Sequence, residues 1–215
     1  MTTDVSIIIP TLNAAAFLPG TLAALGDGDE IIVVDGGSTD GTRELASGAR
    51  VMTAPRGRGI QFAAGIAAAT QPWLLLLHAD TRLSPDWRVA VHDDPTRAGY
   101  FRFVLDSADF RARRLERLVA WRSRMLGLPY GDQGLLIHRD LLHAVGGMEI
   151  MPLMEDVDLV RRLGRKRLVP LPADAVTSAH KWETQGYLRR SGRNLLCLSL
   201  WFAGMPPEKI RRIYG

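Results

Sequence analysis

Three short segments of this chain close an apolar run with groups able to hold a ligand. Pro10-Thr11-Leu12-Asn13 ends the first run, Asp35-Gly36-Gly37-Ser38-Thr39-Asp40 the second, and His78-Ala79-Asp80-Thr81 a later one. Ligands of open α/β sheets bind beyond the carboxyl ends of the strands, so carboxylates, hydroxyls and an imidazole repeated there read as one binding region. An aspartate followed by glycines and serine also makes a turn, and Thr39 or Asp40 can cap a helix behind it. Turn formation accounts for one such segment, not for three in succession. Glu155-Asp156 follows Pro152-Leu153-Met154. There a helix start both favours negative charge and presents a carboxylate rigidly.

The elements that must carry these groups are legible as apolar runs and helical patterns. Val5–Pro10, Glu30–Asp35, Arg50–Ala54 and Trp73–His78 read as strands. Several of them are apolar throughout, as expected when helices cover both faces of a sheet. Ala15–Leu25, Gly41–Ser47 and Gly59–Thr70 read as the helices between them. Strands alternating with helices at this spacing predict an α/β fold with a mostly parallel central sheet flanked by helices. Further on, Gly99–Leu105, Gly134–His138 and Leu168–Leu171 are strand candidates and Asp156–Leu163 a short helix. Ala108–Leu126 reads as a basic amphipathic helix with Leu115, Leu118, Val119, Arg122 and Leu126 along one side. Gly186–Gly204 reads as a last helix, stopped by Pro206 and Pro207. Without repeats or linkers, 1–215 reads as one domain, divided near residue 105 into a ligand-binding half and a second half with the C-terminal helices.

Composition narrows the class. With 47% hydrophobic and 23% charged residues among 215, the chain is expected to build a core. Its formal charge of +4 is almost all arginine, since lysine occurs only at Lys166, Lys181 and Lys209. That bias suits phosphate contacts and equally reflects composition. One cysteine, Cys197, fits a reducing compartment. The start of the chain lacks the pattern of a signal peptide, and the run 195–205 is too short to span a bilayer. The expectation is a cytoplasmic protein.

In order and spacing, SIIIPTLNAAAFLPGTLAAL, EIIVVDGGSTDGT, PRGRGIQFAAGIAAAT and WLLLLHADT resemble the opening of glycosyltransferase family 2, of GT-A fold. GDQGLLIHRDLLHAVGG and LMEDVDLVRRL resemble its acceptor-side half. The resemblance covers about residues 5–165 and is closest to small soluble bacterial members with HAD in place of D-x-D.

The resemblance implies transfer of a sugar from a nucleotide-sugar donor to an acceptor hydroxyl, with inversion and no covalent enzyme intermediate. Asp35 would hold the nucleoside base, with Pro10, Thr11 and Asn13 lining the same pocket. Arg56 and Arg58 would approach base, ribose or diphosphate, with Gly57 and Gly59 letting the backbone pass closely. Asp80 would bind a divalent cation, manganese or magnesium, that stabilises charge on the departing diphosphate. His78 stands where relatives carry a first carboxylate and reads more readily as a packed histidine than as a ligand. A late histidine, His180, is the other candidate metal ligand. Asp156 would be the general base, and Glu155, beside it in the same pair, a substrate-binding residue. Asp132, Gln133 and Trp182 are candidates for sugar or acceptor contacts, Trp182 either stacking on a ligand or packing.

The acceptor, a small molecule or a lipid-linked one, stays open. Nucleic acid is not expected as a partner. The helix at 186–204 is expected to form a subunit contact, as in a homodimer, or to touch the inner face of a membrane. Two alternatives remain. A sugar nucleotidyltransferase would need a glycine- and arginine-rich loop where Pro10–Asn13 stands. An inactive binding module would have no need of Asp35, Asp80 and Asp156 together.

Overall fold

The computed structural model describes residues 4–214. Its first half holds strands β1 (Val5–Thr11), β2 (Glu30–Asp35), β3 (Arg50–Thr53), β4 (Trp73–Leu76), β5 (Thr81–Leu83) and β6 (Ala98–Leu105). Helices α1 (Leu18–Leu25) and α2 (Arg58–Ala68) lie between them. Helix α3 (Phe110–Leu126), strand β7 (Leu135–His138), helices α4 (Arg139–Ala144) and α5 (Glu155–Leu163) and strand β8 (Leu168–Thr177) follow. Helices α6 (His180–Gln185), α7 (Tyr187–Phe202) and α8 (Pro207–Tyr214) complete the chain.

All eight strands form one sheet in the order β3-β2-β1-β4-β7-β6-β8-β5. β1 to β4 are mutually parallel, whereas β7 runs antiparallel to both β4 and β6, and β5 runs antiparallel to β8. The sheet is therefore mixed, with its parallel part where the strand-end residues lie. Because β7 inserts between β4 and β6, the sheet runs unbroken through both halves of the chain.

The continuous apolar strands work as two interleaved sets, since successive side chains point to opposite faces. Ile7, Ile9, Val33 and Leu75 enter one core with Leu18, Trp87 and Phe101. Ile8, Ile32, Val34 and Leu74 enter the other with Phe62 and residues of β7 and α5. Burying each such side chain contributes roughly 1.5–3 kcal/mol, which is why β1 is apolar on both faces. Helix α2 lies flush on β1: a Cβ at Gly65 would come within 2.3 Å of Ile8 Cγ2.

Several elements differ from expectation. Gly41–Ser47 forms turns in place of a helix, because the Asp40 carboxylate accepts from both Thr42 N and Thr42 Oγ1 and holds the chain in a turn. β4 ends at Leu76, two residues before His78, while β8 extends to Thr177. β5, α4 and α8 were not expected, and Pro207, read as a stop, begins α8, where a missing N–H costs nothing. On α3 the buried positions are Ala112, Val119 and Ser123, whereas Leu118 and Leu126 face outward. On α7, Cys197 is buried, while Leu195 and Leu196 are exposed. Among the described residues no helix is long and apolar enough to cross a membrane.

Candidate functional site

Parallel pairing puts Thr11 beside Asp35 and Asp35 beside Thr53, one row across the carboxyl ends of β1, β2 and β3. Asp35 is buried and accepts from Thr11 Oγ1 at 3.1 Å, Gly37 N at 3.0 Å, Ser38 N at 2.9 Å and Ser38 Oγ. Burial pushes its carboxyl up, but these donors outweigh burial and hold it below the usual carboxylate range. Asn13 adopts φ +50° and latches the two strand-end loops: its N–H donates to Ser38 Oγ at 2.8 Å and its Oδ1 accepts from Thr39 N at 3.0 Å. Pro10 is buried within β1, opposite Val34.

Gln61, not singled out in the sequence, ties this row to the arginine loop. Its Nε2 donates to Thr11 O at 2.8 Å and Val34 O at 2.7 Å, and its Oε1 accepts from Gly57 N at 3.3 Å. A lone amide on the otherwise apolar buried face of α2 was the signal available. Arg56 is exposed beside this anchor. The close backbone approach expected at Gly59 is made by the chain itself, since a Cβ there would lie 2.9 Å from Glu149 O.

Beyond β4, His78, Asp80 and Asp132 each offer a ligand atom, all within 4.8 Å of one another. His78 Nδ1 lies 2.9 Å from Asp132 Oδ1, and its ring stacks near Phe62. The histidine read as packing is thus in the cluster, and Asp132, read as a sugar contact, joins it. Burial opposes charge on both members of this pair, but their mutual contact wins. The His78 imidazole is held above its ordinary value and the Asp132 carboxyl is lowered to about 2. Lys181 Nζ sits 3.3 Å from Asp80 Oδ2, a cationic group drawn to the same carboxylates. Two carboxylates and one imidazole at this spacing suit a hard divalent cation such as manganese or magnesium. His180 is exposed at the start of α6 and is not in the cluster.

In the second half of the chain, Met154 takes φ +73° and turns the chain into α5, so that Glu155 and Asp156 open the helix. Asp156 Oδ1 accepts from Val157 N at 2.7 Å, while Oδ2 makes no hydrogen bond among the described residues and looks toward Gly131. Glu155 is 1% exposed, and Arg58 Nε lies 2.8 Å from its Oε1. The contact is an ion pair off hydrogen-bond alignment, so neither Glu155 oxygen has an aligned donor among the described residues. Burial, opposed by Arg58, raises the Glu155 carboxyl above its ordinary value. Partial shielding from water opposes charge on Arg58, but Glu155 and Asp156 hold it above its ordinary value.

Two substrate candidates have structural duties. Gln133 is buried, donating to Phe101 O at 3.1 Å and accepting from Ser123 Oγ at 2.9 Å and Arg122 Nη2 at 3.3 Å. Trp182 is buried against Tyr187, Phe103 and Val119, so its ring is used in packing and not presented to a ligand. Arg122, read as part of a helix face, instead covers the Tyr130 ring at 3.7 Å and reaches the loop that carries Asp132.

The chain is similar to known proteins in sequence and in fold. The model of the family described as "Glycosyl transferase family 2" matches residues 6–106. Over 140 residues the chain is 38% identical to a PGL/p-HBAD biosynthesis glycosyltransferase of Mycobacterium tuberculosis, covering 55% of each chain. Over 79 residues it is 42% identical to an uncharacterized glycosyltransferase of the same organism, covering 35% of this chain and 36% of the other. The chain thus spans between about a third and about half the length of these curated relatives. Among solved structures, glucosyl-3-phosphoglycerate synthase from M. tuberculosis in complex with phosphoglyceric acid has a TM-score of 0.64 at 20% identity, over 95% of this chain and 81% of that one. The same synthase in complex with Mn2+, UDP and glucosyl-3-phosphoglycerate has a TM-score of 0.57 at 22% identity, over 82% and 70%. Those likenesses establish the GT-A fold. With the family match over residues 6–106 and the curated relatives, they lead to one conclusion: the chain has the GT-A fold, and its strand-end half is similar to glycosyl transferase family 2.

Proposed function

We propose that the protein transfers a sugar from a nucleotide-sugar donor to an acceptor hydroxyl, with inversion at the anomeric carbon. The observation that carries this reading is the convergence, beyond the parallel strands, of the Asp35 loop, the His78–Asp80–Asp132 cluster and an Asp156 with one free carboxylate oxygen. Pro10, Thr11, Asn13 and Asp35 shape the pocket for the nucleoside, held in form by Gln61. Arg56, exposed next to it, and Arg58 supply positive charge toward the diphosphate. His78, Asp80 and Asp132 would hold a divalent cation, which supplies charge stabilisation to the leaving diphosphate. Asp156 Oδ2 takes the proton of the acceptor hydroxyl, and a single displacement follows with no covalent intermediate. Glu155 positions Asp156 through the start of α5. Lys181 flanks the cluster from α6, one residue after the exposed His180.

The solved synthase binds UDP, and UDP sugars are accordingly the first donors to try. The acceptor is a small molecule or a lipid-linked hydroxyl. The site works within a single cytoplasmic domain. The outward Leu188, Leu195 and Leu196 of α7 serve contact between two copies, because Arg190 and Arg193 are turned inward onto Gln185 at 3.0 and 2.6 Å.

A thermal-shift screen of nucleoside diphosphates with and without manganese tests the reading. Ligand at about 100 times its Kd should stabilise the native state by about 2.7 kcal/mol. UDP should raise Tm more with manganese than without, and Asp80→Ala should remove that difference. Equal shifts in the unmodified protein with and without the metal would defeat the metal role. No shift with any nucleotide would defeat the donor reading.

A further inference from the structure

Helix α3 carries a strip of large apolar side chains on the side away from its buried face. Phe110, Leu118, Trp121 and Met125 are 61%, 63%, 57% and 53% exposed, whereas the buried positions are Ala112, Val119 and Ser123. With Arg114 in line between them, the strip steps along the helix by four, four, three and four residues, which keeps it on one side. A soluble surface helix normally shows polar side chains at these positions, and a contiguous apolar patch marks an interaction surface.

The charges around the strip identify what it meets. The acidic groups of the helix and its cap are already used: Asp109 pairs with Arg111, and Glu116 with Arg113. Arg114, its guanidinium 4.9 Å from the centre of the Phe110 ring, and Arg117 and Arg124, all exposed, have no acidic partner among the described residues. The strip is thus apolar and aromatic at its centre and cationic along its length. Two copies packed face to face through it would set arginine against arginine. An anionic lipid surface satisfies both parts, with apolar side chains in the headgroup boundary and arginines extended to the phosphates.

We infer that α3 docks this protein on an anionic phospholipid surface, with Phe110, Leu118, Trp121 and Met125 inserted and Arg114, Arg117 and Arg124 on the headgroups. This surface is separate from the outward leucines of α7, where two of three arginines are turned inward. The inference does not depend on the transfer reaction.

The test is flotation of the full chain with vesicles containing phosphatidylglycerol, against vesicles of phosphatidylcholine alone, at low and high salt. The protein should float with the anionic vesicles only, and less as salt screens the arginines. Replacing Arg114, Arg117 and Arg124 together by glutamine should weaken binding roughly 100-fold. Trp121→Ser with Leu118→Ser should abolish it, while Leu188→Ser with Leu195→Ser on α7 should leave it unchanged. Circular dichroism and Tm, expected to hold because these side chains are exposed, separate lost docking from lost folding. Protein left in the dense fraction with anionic vesicles, or binding indifferent to the α3 variants, overturns the proposal. So does a dimer in sedimentation that Trp121→Ser dissolves.

Discussion

Asp156 is tied through one oxygen to its own helix start and leaves the other toward the Gly131–Asp132 loop. In the proposed reaction its value as a base would lie in that asymmetry: the hydrogen bond fixes the rotamer and the second oxygen is left to receive the proton. Asp156→Asn keeps the size and the capping oxygen but removes the basic site. Turnover should fall by about 10²–10⁴-fold, with the nucleotide-dependent Tm shift retained. Near-normal turnover in a single-cycle assay would assign the base elsewhere. The site is bracketed by Asn13 and Met154, the only non-glycine residues with positive φ among the described ones. Such conformations cost about 1–3 kcal/mol each and persist where surrounding contacts dictate them. At this scale Asp35, Asp80 and Asp156 were legible, because each stands at the end of an element. The partnership of His78 with Asp132 was not, since 54 residues separate them.

At the scale of elements, α2 does more than cover the sheet. It delivers Gln61 to the carbonyl ends of β1 and β2, and the same side chain holds Gly57. Gln61→Leu would keep the volume but leave Thr11 O and Val34 O buried without that donor. The expected loss is about 2–3 kcal/mol in urea denaturation, together with weaker UDP binding, because the arginine loop loses its anchor. Unchanged stability would show that water or a backbone shift supplies the missing donor. The periodicity of α3 was readable, but not which side faces the sheet. Small Ala112 and Ser123 fit against the protein, and Leu118 and Leu126 turn outward, an arrangement decided by the space beside β6.

At the scale of the whole molecule, the Arg58–Glu155 contact joins the start of α2 to the start of α5, and so the first half of the chain to the second. Arg58→Gln leaves Glu155 buried without its cation. Arg58 is 39% exposed, so the loss should be about 1–3 kcal/mol, below that of a fully buried pair. The folded-state pKa of Glu155 is already raised, and losing Arg58 raises it further. Stability therefore falls as pH climbs from the unfolded carboxyl value toward the folded one. Consequently the variant's Tm deficit should be larger at pH 7 than at pH 5, and adding Glu155→Gln should flatten that dependence. A deficit independent of pH would place the cost outside Glu155.

The identity of β1 to β4, their parallel run and the strand-end aspartates were determined by the sequence itself, because apolar period, turn residues and strand-end position are local properties of the chain. The tertiary structure alone decided that β7 would enter between β4 and β6. It brought His78, Asp80 and Asp132 together with Lys181, 101 residues from Asp80. It also committed Gln133 and Trp182 to packing and turned the apolar strip of α3 outward. Those outcomes depend on which distant surfaces must be buried against each other, and no periodicity within a segment records that.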